Sequence, residues 1–399
     1  MMMIKIRYLI PAIILLFLQT AAFAQDINVK KAFQQAAVQT QLMLLEIKKS
    51  NDPTKPELIS PRTLDHGVLK LVASRDWTSG FFPGVLWYLD EYYKTDQWKT
   101  QARAFTTPIE NEKNNATTHD MGFKVFCSVG NAFRLTGNAH DKEVIIAAAK
   151  TLSTRFNNKT GVILSWDHSR DKWVNPVIID NMMNLELLFE ATKLTGDSSF
   201  HKIAVSHANT TMKNHFREDF SSYHVVDYDP KTGGVIKKTT HQGYRNSSAW
   251  ARGQAWGLYG YTLCYRYTKN PAYLKQAENI AKFIFTHPNM PKDLVPYWDF
   301  DAPHIPNEPR DASAAAVIAS GLYELSRYSK NKTDYYQKAN QILKSLSTTY
   351  AAPAGTAKGF ILLHSTGSKP SDSEVDVPLS YADYYYLEAL LRYKNYKKQ

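Results

Sequence analysis

One short pattern recurs six times along this chain and restricts its fold more than any other feature. Each copy reads as the last turns of an apolar helix. The first three are Leu-Asp-Glu-Tyr-Tyr-Lys-Thr-Asp up to Asp96, Asn-Ala-Phe-Arg-Leu-Thr-Gly up to Gly137 and Phe-Glu-Ala-Thr-Lys-Leu-Thr-Gly up to Gly196. The others are Cys-Tyr-Arg-Tyr-Thr-Lys-Asn up to Asn270, Glu-Leu-Ser-Arg-Tyr-Ser-Lys-Asn up to Asn331 and Glu-Ala-Leu-Leu-Arg-Tyr-Lys-Asn up to Asn395. A cation in the last turn offsets the negative end of the helix dipole, and Gly or Asn can take the left-handed conformation that ends a helix.

A second kind of helix follows each of the first five endings. In 139–156, Val144, Ile145, Ala148, Leu152 and Phe156 form one stripe at helical spacing. Comparable helices are expected at about 97–110, 198–216, 271–287 and 333–350, and another, about 30–48, opens the chain. A helix that is apolar all round belongs inside, and an amphipathic one outside. Six of each in alternation predict an all-α fold, an (α/α)6 barrel of six hairpins; the same hairpins could also stack as an open solenoid. The longest interruptions, about 157–178, 217–249 and 352–378, are expected as loops at the active rim. The middle one contains a β-hairpin signal from His224 to Ile236. With no linker in sight, residues 25–399 read as a single catalytic domain.

Residues 1–24 have another character. Lys5 and Arg7 precede an apolar run from Tyr8 to Leu18, and Ala22-Phe23-Ala24 offers the small residues a signal peptidase reads. This predicts a signal peptide cleaved before Gln25, and a periplasmic or secreted product. The run is short for a membrane span and no Cys marks a lipid anchor, so no stable membrane anchor is expected. Loss of Lys5 and Arg7 takes the formal charge from +11 to +9. The remaining cations are scattered and form no nucleic-acid motif. Cys127 and Cys264 both lie in apolar helical stretches, so neither a disulfide framework nor a zinc site is expected, and no cofactor is implied.

About 13–18 residues before each ending stands a polar cluster: Asp76-Trp77, His119-Asp120, Asp180-Asn181, Arg252-Gly-Gln254-Ala-Trp256, Arg310-Asp311 and Tyr381-Ala-Asp383. A helix of about 16 residues is roughly 24 Å long, so all six clusters fall at the same end of the ring. An Asp at a helix start can be a plain cap. Arg252, one turn from Trp256, reads as a carboxylate clamp beside a stacking platform. Asp180 sits between Val177-Ile178-Ile179 and Met182-Met183, an apolar setting that should raise its pKa. Asp120 follows His119 among more polar residues and should ionise more easily. Two acids so separated suit proton-transfer chemistry on a sugar, with Asp180 as donor. Eight Trp and 24 Tyr supply faces on which pyranose rings stack.

At these residues the chain resembles the unsaturated glucuronyl hydrolases, glycoside hydrolase family 88. The matching segments are Asp76-Trp-Thr-Ser-Gly-Phe-Phe-Pro-Gly84, His119-Asp-Met-Gly-Phe123, Asp180-Asn-Met-Met-Asn184, His241-Gln-Gly-Tyr244, Trp250-Ala-Arg-Gly-Gln-Ala-Trp256 and Ser380-Tyr-Ala-Asp-Tyr-Tyr-Tyr-Leu-Glu-Ala389. The resemblance implies an (α/α)6 barrel that removes a 4,5-unsaturated uronate from lyase-generated oligosaccharides by hydrating its vinyl ether. It implies Asp180 as general acid and base, with Asp120 holding ring hydroxyls or stabilising charge. It further implies Trp77, His119, Trp166, His224, Gln242, Arg252, Trp256 and Tyr381 around the sugar and water, and Ser365, Ser368 and Lys369 against a sulfate. Arg245-Asn246 stand where the family pattern is more acidic, which suits a sulfated glycosaminoglycan partner. Unsaturated rhamnogalacturonyl hydrolases of pectin share the fold and chemistry. A non-catalytic oligosaccharide-binding protein would keep the aromatic residues without needing both aspartates.

Overall fold

A computed structural model describes residues 27–396; the expected signal peptide lies outside them. Twelve α-helices follow one another among the described residues. They are α1 (Val29–Ser50), α2 (Phe81–Tyr93), α3 (Asp96–Thr106), α4 (Asn131–Thr136), α5 (Ala139–Ser153) and α6 (Asn181–Thr195). The second half holds α7 (Ser198–Asn214), α8 (Ala251–Thr268), α9 (Pro271–Thr286), α10 (Ala312–Leu325), α11 (Lys332–Thr348) and α12 (Ser380–Tyr396). The alternation read from the sequence is the architecture. All of α10 is buried, whereas its neighbour α11 buries only the stripe Tyr335, Ala339, Ile342, Leu343 and Leu346. The even-numbered helices form the inner ring and the odd-numbered ones the outer ring. The ring closes because α12 packs against both α10 and α2, which rules out an open solenoid. The fold is an (α/α)6 barrel.

The helix endings carry two signals rather than one. Gly137 and Gly196 take left-handed φ angles of 67° and 77°, but at α2 and α8 the left-handed residue is Lys94 or Lys269. Asn138, Asp197 and Asn270 instead cap the outer helix that follows, each accepting a backbone N–H two residues on. The tight junction therefore ends one helix and starts the next, which fixes the antiparallel hairpin.

The second inner helix departs from expectation. It begins as a π-helical run, Gly122–Gly130, before continuing as α4. Such widened turns are uncommon and cluster at functional sites. Here the run carries Lys124 into the interior, where its ammonium lies 2.7 Å from Glu112.

Among the described residues seven short strands decorate the barrel: β1 (Ser60–Asp65), β2 (Val68–Val72), β3 (Phe156–Asn157), β4 (Val162–Ile163), β5 (Pro176–Ile178), β6 (Val225–Tyr228) and β7 (Val235–Thr239). β6 and β7 are the expected hairpin, and β5 joins them as a third antiparallel strand. Two features escaped the sequence reading. The β1–β2 hairpin precedes α2, and the segment 287–311 before α10 is a further long connection. No helix among the described residues is long and apolar enough to cross a membrane.

Candidate active site

The polar clusters at the inner helix starts meet at one mouth. Trp77 lies 4.9 Å from Tyr381 and 5.6 Å from Phe123, ring to ring, and Phe123 lies 5.2 Å from Trp256. Arg252 stands over Tyr381 at 5.3 Å and bonds Asp311 at 2.8 Å. The acids of this rim then sort by what they bond. Asp76 accepts from Thr78 and from Arg62. Asp383 accepts the N–H groups of Ile361 and Leu362, and burial still pushes it up to about 8. Asp311 caps α10 through Ser313 and Ala314. The plain cap reading is therefore right for Asp311. It is wrong for Asp180, which precedes α6 without a side-chain cap bond. Asp120 accepts only from Thr118 on one oxygen, and its other oxygen lies 3.3 Å from His119 Nε2.

Two local devices bring Asp120 and Asp180 together. Ser165 accepts both the backbone N–H and the Nδ1–H of His119 on its carbonyl, and its hydroxyl accepts the N–H of Ile178. One residue thus ties the segment before Asp120 to the strand before Asp180. Just beyond, Gly122 passes so close to Asn184 that a Cβ would stand 2.7 Å from its Cα, while Asn184 Oδ1 accepts the N–H of Phe123. Only glycine allows this approach of the two inner helices.

Asp180 is 7% exposed, and its Oδ2 has no protein hydrogen-bond partner. Burial pushes its carboxyl up to about 7; Arg252 opposes the rise and Asp120 adds to it. His224 faces it, with Nε2 3.7 Å from Oδ2. The His224 Nδ1 accepts the backbone N–H groups of His241 and Gln242. A ring nitrogen that accepts cannot carry the proton, so the neutral ring bears it on Nε2, toward Asp180. Burial, with the repulsion of His241 and Arg252, holds this imidazole far below its ordinary value. His119 is also held low by burial, against the pull of Asp120.

The structure corrects two sequence expectations. Trp256 is fully buried against Phe123 and Tyr385, so it offers no open stacking face; only its indole N–H edge lies beside Asp180. Arg252 is not a free fork. Nη1 bonds Asp311 and the Thr366 carbonyl, Nη2 bonds the Gly367 carbonyl, and only Nε is unpaired. Trp77 remains half-buried at the mouth. Trp166 stacks on His168 at 5.0 Å and meets Trp173 and His241 edge-on or tilted. Gln242 donates to the Gly367 carbonyl, so it braces the same loop that Arg252 holds. In that loop Ser365 is buried with its hydroxyl unpaired, Ser368 bonds Ser371, and Lys369 is half-buried.

Burying a polar atom without a partner costs about 1–3 kcal/mol, so such atoms are sparse and informative. Among the described residues seventeen buried side-chain polar atoms lack one. Eight belong to His119, Trp166, Asp180, His224, Arg252, Trp256, Ser365 and Tyr381, all named from the sequence. Sequence reasoning missed Arg62, which bonds both Asp76 and Glu374 and anchors the 364–377 loop from β1. It also missed Trp173 beside Trp166. A lone Arg in a short strand carries no signal; His241 and Trp250 did lie inside motif segments already quoted. No group of three or more His, Cys, Asp or Glu suited to a metal occurs among the described residues.

Comparison with known proteins identifies the family. Residues 47–398 match Glycosyl Hydrolase Family 88. An unsaturated glucuronyl hydrolase of Formosa agariphila is 53% identical over 330 residues, 82% of each chain. A crystal structure of an unsaturated glucuronyl hydrolase specific for heparin superposes with a TM-score of 0.88 at 47% identity, covering 93% of this chain and 98% of that one. An unsaturated glucuronyl hydrolase mutant from Streptococcus agalactiae, complexed with dGlcA-GalNAc6S, gives a TM-score of 0.78 at 31% identity over 92% of each chain. Sequence and fold agree, and the chain belongs to glycosyl hydrolase family 88 as a hydrolase of the unsaturated glucuronyl type.

Proposed function

We propose that this hydrolase removes the 4,5-unsaturated uronate from glycosaminoglycan disaccharides, sulfated ones included, and that it does so outside the cytoplasm after loss of residues 1–24. The observation that carries the site assignment is the convergence of unpaired buried polar atoms on a carboxyl held near pH 7. Below that pH Asp180 keeps its proton and donates it to C4. The C4=C5 electron pair forms the new C–H bond, and positive charge spreads over C5 and the ring oxygen. The Asp180 carboxylate then takes a proton from water as its oxygen bonds to C5. The C5 hemiketal opens to a ketone, and the freed C1 hemiacetal releases the remaining sugar. Asp120 stabilises the cationic centre and holds ring hydroxyls. His224 orients water through Nε2–H, and Trp77 supplies the ring-stacking face.

Several features support a sulfated partner. Lys369 and Ser368 lie on the loop that Arg252 and Gln242 brace, and Arg245, on the segment that carries Gln242, is exposed. The S. agalactiae relative was crystallised with a disaccharide named as 6-sulfated, and another relative is specific for heparin. The test follows the ultraviolet absorbance of the conjugated uronate on disaccharides from chondroitin, hyaluronan, heparin and pectin lyases. Wild type should bleach at least one glycosaminoglycan product, and Asp180→Asn should bind it without turnover. Turnover by Asp180→Asn defeats the acid assignment; preference for the pectin product defeats the substrate assignment.

A further inference from the structure

Arg252 and Asp311 form an ion pair sealed from solvent, at 1% and 0% exposure. Asp311 divides its carboxylate. Oδ1 accepts the N–H groups of Ser313 and Ala314 and the Ser313 hydroxyl, closing the first turn of α10. Oδ2 faces Arg252 Nη1 at 2.8 Å. With both Nη groups engaged, the guanidinium plane is fixed and Nε–H is left without a protein partner.

We propose that Asp311 is a positioning residue for the proton transfer: it locks the Arg252 fork, so that one balanced charge stands beside Asp180 and Nε–H stays free for the substrate carboxylate. This rests on the reading of Asp180 as the acid. Asp311 has no hydrogen bond or ion pair to Asp180; its route to the acid is Arg252. The other groups around Asp180 are Asp120 and His119 ahead of the π-helical run, His224 at β6, and Trp256 on α8, with Tyr381 of α12 against Arg252. None of them hydrogen-bonds Asp311. Removing the Asp311 charge therefore leaves Arg252 uncompensated and favours the Asp180 carboxylate over the acid.

Asparagine at 311 can keep the cap through its oxygen but turns an amide N–H against Nη1. Serine keeps a cap oxygen and leaves room. In Asp311→Asn and Asp311→Ser, kcat/KM near pH 6 should fall about 10- to 100-fold, the range for a misplaced group. The basic limb of the kcat/KM profile should move about half to one unit lower. Ser313→Ala removes a cap contact only, so it should lower Tm and leave the limb in place. A limb unmoved in folded Asp311→Asn or Asp311→Ser, or moved as far by Ser313→Ala, overturns the proposal. Turnover surviving in Asp180→Asn overturns instead the acid reading beneath it.

Discussion

Asp180→Asn should stabilise the fold at alkaline pH while it stops turnover. Burial raises the Asp180 carboxyl from 3.8 to about 7, so the folded state holds its proton more tightly than the unfolded chain. The sign follows from linkage: between those values the folded protein binds more protons, and stability falls as pH rises. The contribution is fully present below about pH 4 and fully lost above about pH 7. A rise of about three units at about 1.4 kcal/mol each is of the order of 4 kcal/mol. Asparagine has no charge to bury, so the advantage of Asp180→Asn over wild type should grow by about 3 kcal/mol between pH 4.5 and pH 8. At about 2.1 cal/mol/K per residue over the barrel, that is a relative Tm gain of roughly 4 °C. Scanning calorimetry of both proteins at the two pH values measures it, and comparing the gaps cancels any fixed effect of the amide. A gap that does not change with pH, or that shrinks, refutes the burial argument. The same ionisation should set the basic limb of kcat/KM near pH 7 in wild type.

Three further outcomes follow from the geometry. Gly122→Ala forces a Cβ to 2.7 Å from the Asn184 Cα, so it should cost about 2–3 kcal/mol in urea unfolding and lower kcat about 100-fold by parting the two acids. His224→Phe leaves the His241 and Gln242 N–H groups without their acceptor; stability should fall by about 1–3 kcal/mol, with turnover reduced at every pH. Lys369→Ala should raise KM about tenfold for a sulfated disaccharide, the loss of one charge-assisted bond, and leave the unsulfated one unchanged in initial-rate assays.

The ring was legible because burial writes itself into sequence. Ala312 to Leu325 is mostly apolar all round and is buried throughout, whereas the helix after it shows one stripe and buries that stripe. The ends were legible through Gly137 and Gly196, whereas Asn270, read as an ending, caps the helix that follows. What stayed hidden depends on contacts distant in the chain. Trp256 reads as a sugar platform until it is found fully buried against Phe123 and Tyr385. Arg252 reads as a free fork until the carbonyls of residues 366 and 367, more than a hundred positions away, are found to occupy it. Arg62 reaches Glu374 across a still longer span. None of these partners leaves a local trace.

The contrast between Asp180 and Asp311 shows where sequence runs out and why. Both immediately precede an inner helix, and both look like caps. A capping residue needs extended backbone so that its side chain can reach back to the second or third N–H of the helix. Asp311 has φ −127° and ψ 90°, and it caps. Asp180 has φ −56° and ψ −27°, already helical, so its carboxylate cannot turn back onto the helix. The cause lies in the strand before it. The N–H of Ile179 bonds the carbonyl of His224, and β5 pairs with β6 up to Ile178, so the chain must enter the helix immediately after the sheet ends. The same pairing that denies Asp180 a cap sets His224 against it. An acid without a cap bond, buried in an apolar setting beside the Asp120 charge, keeps its proton near neutral pH. The sheet therefore makes the acid, although neither strand contains it.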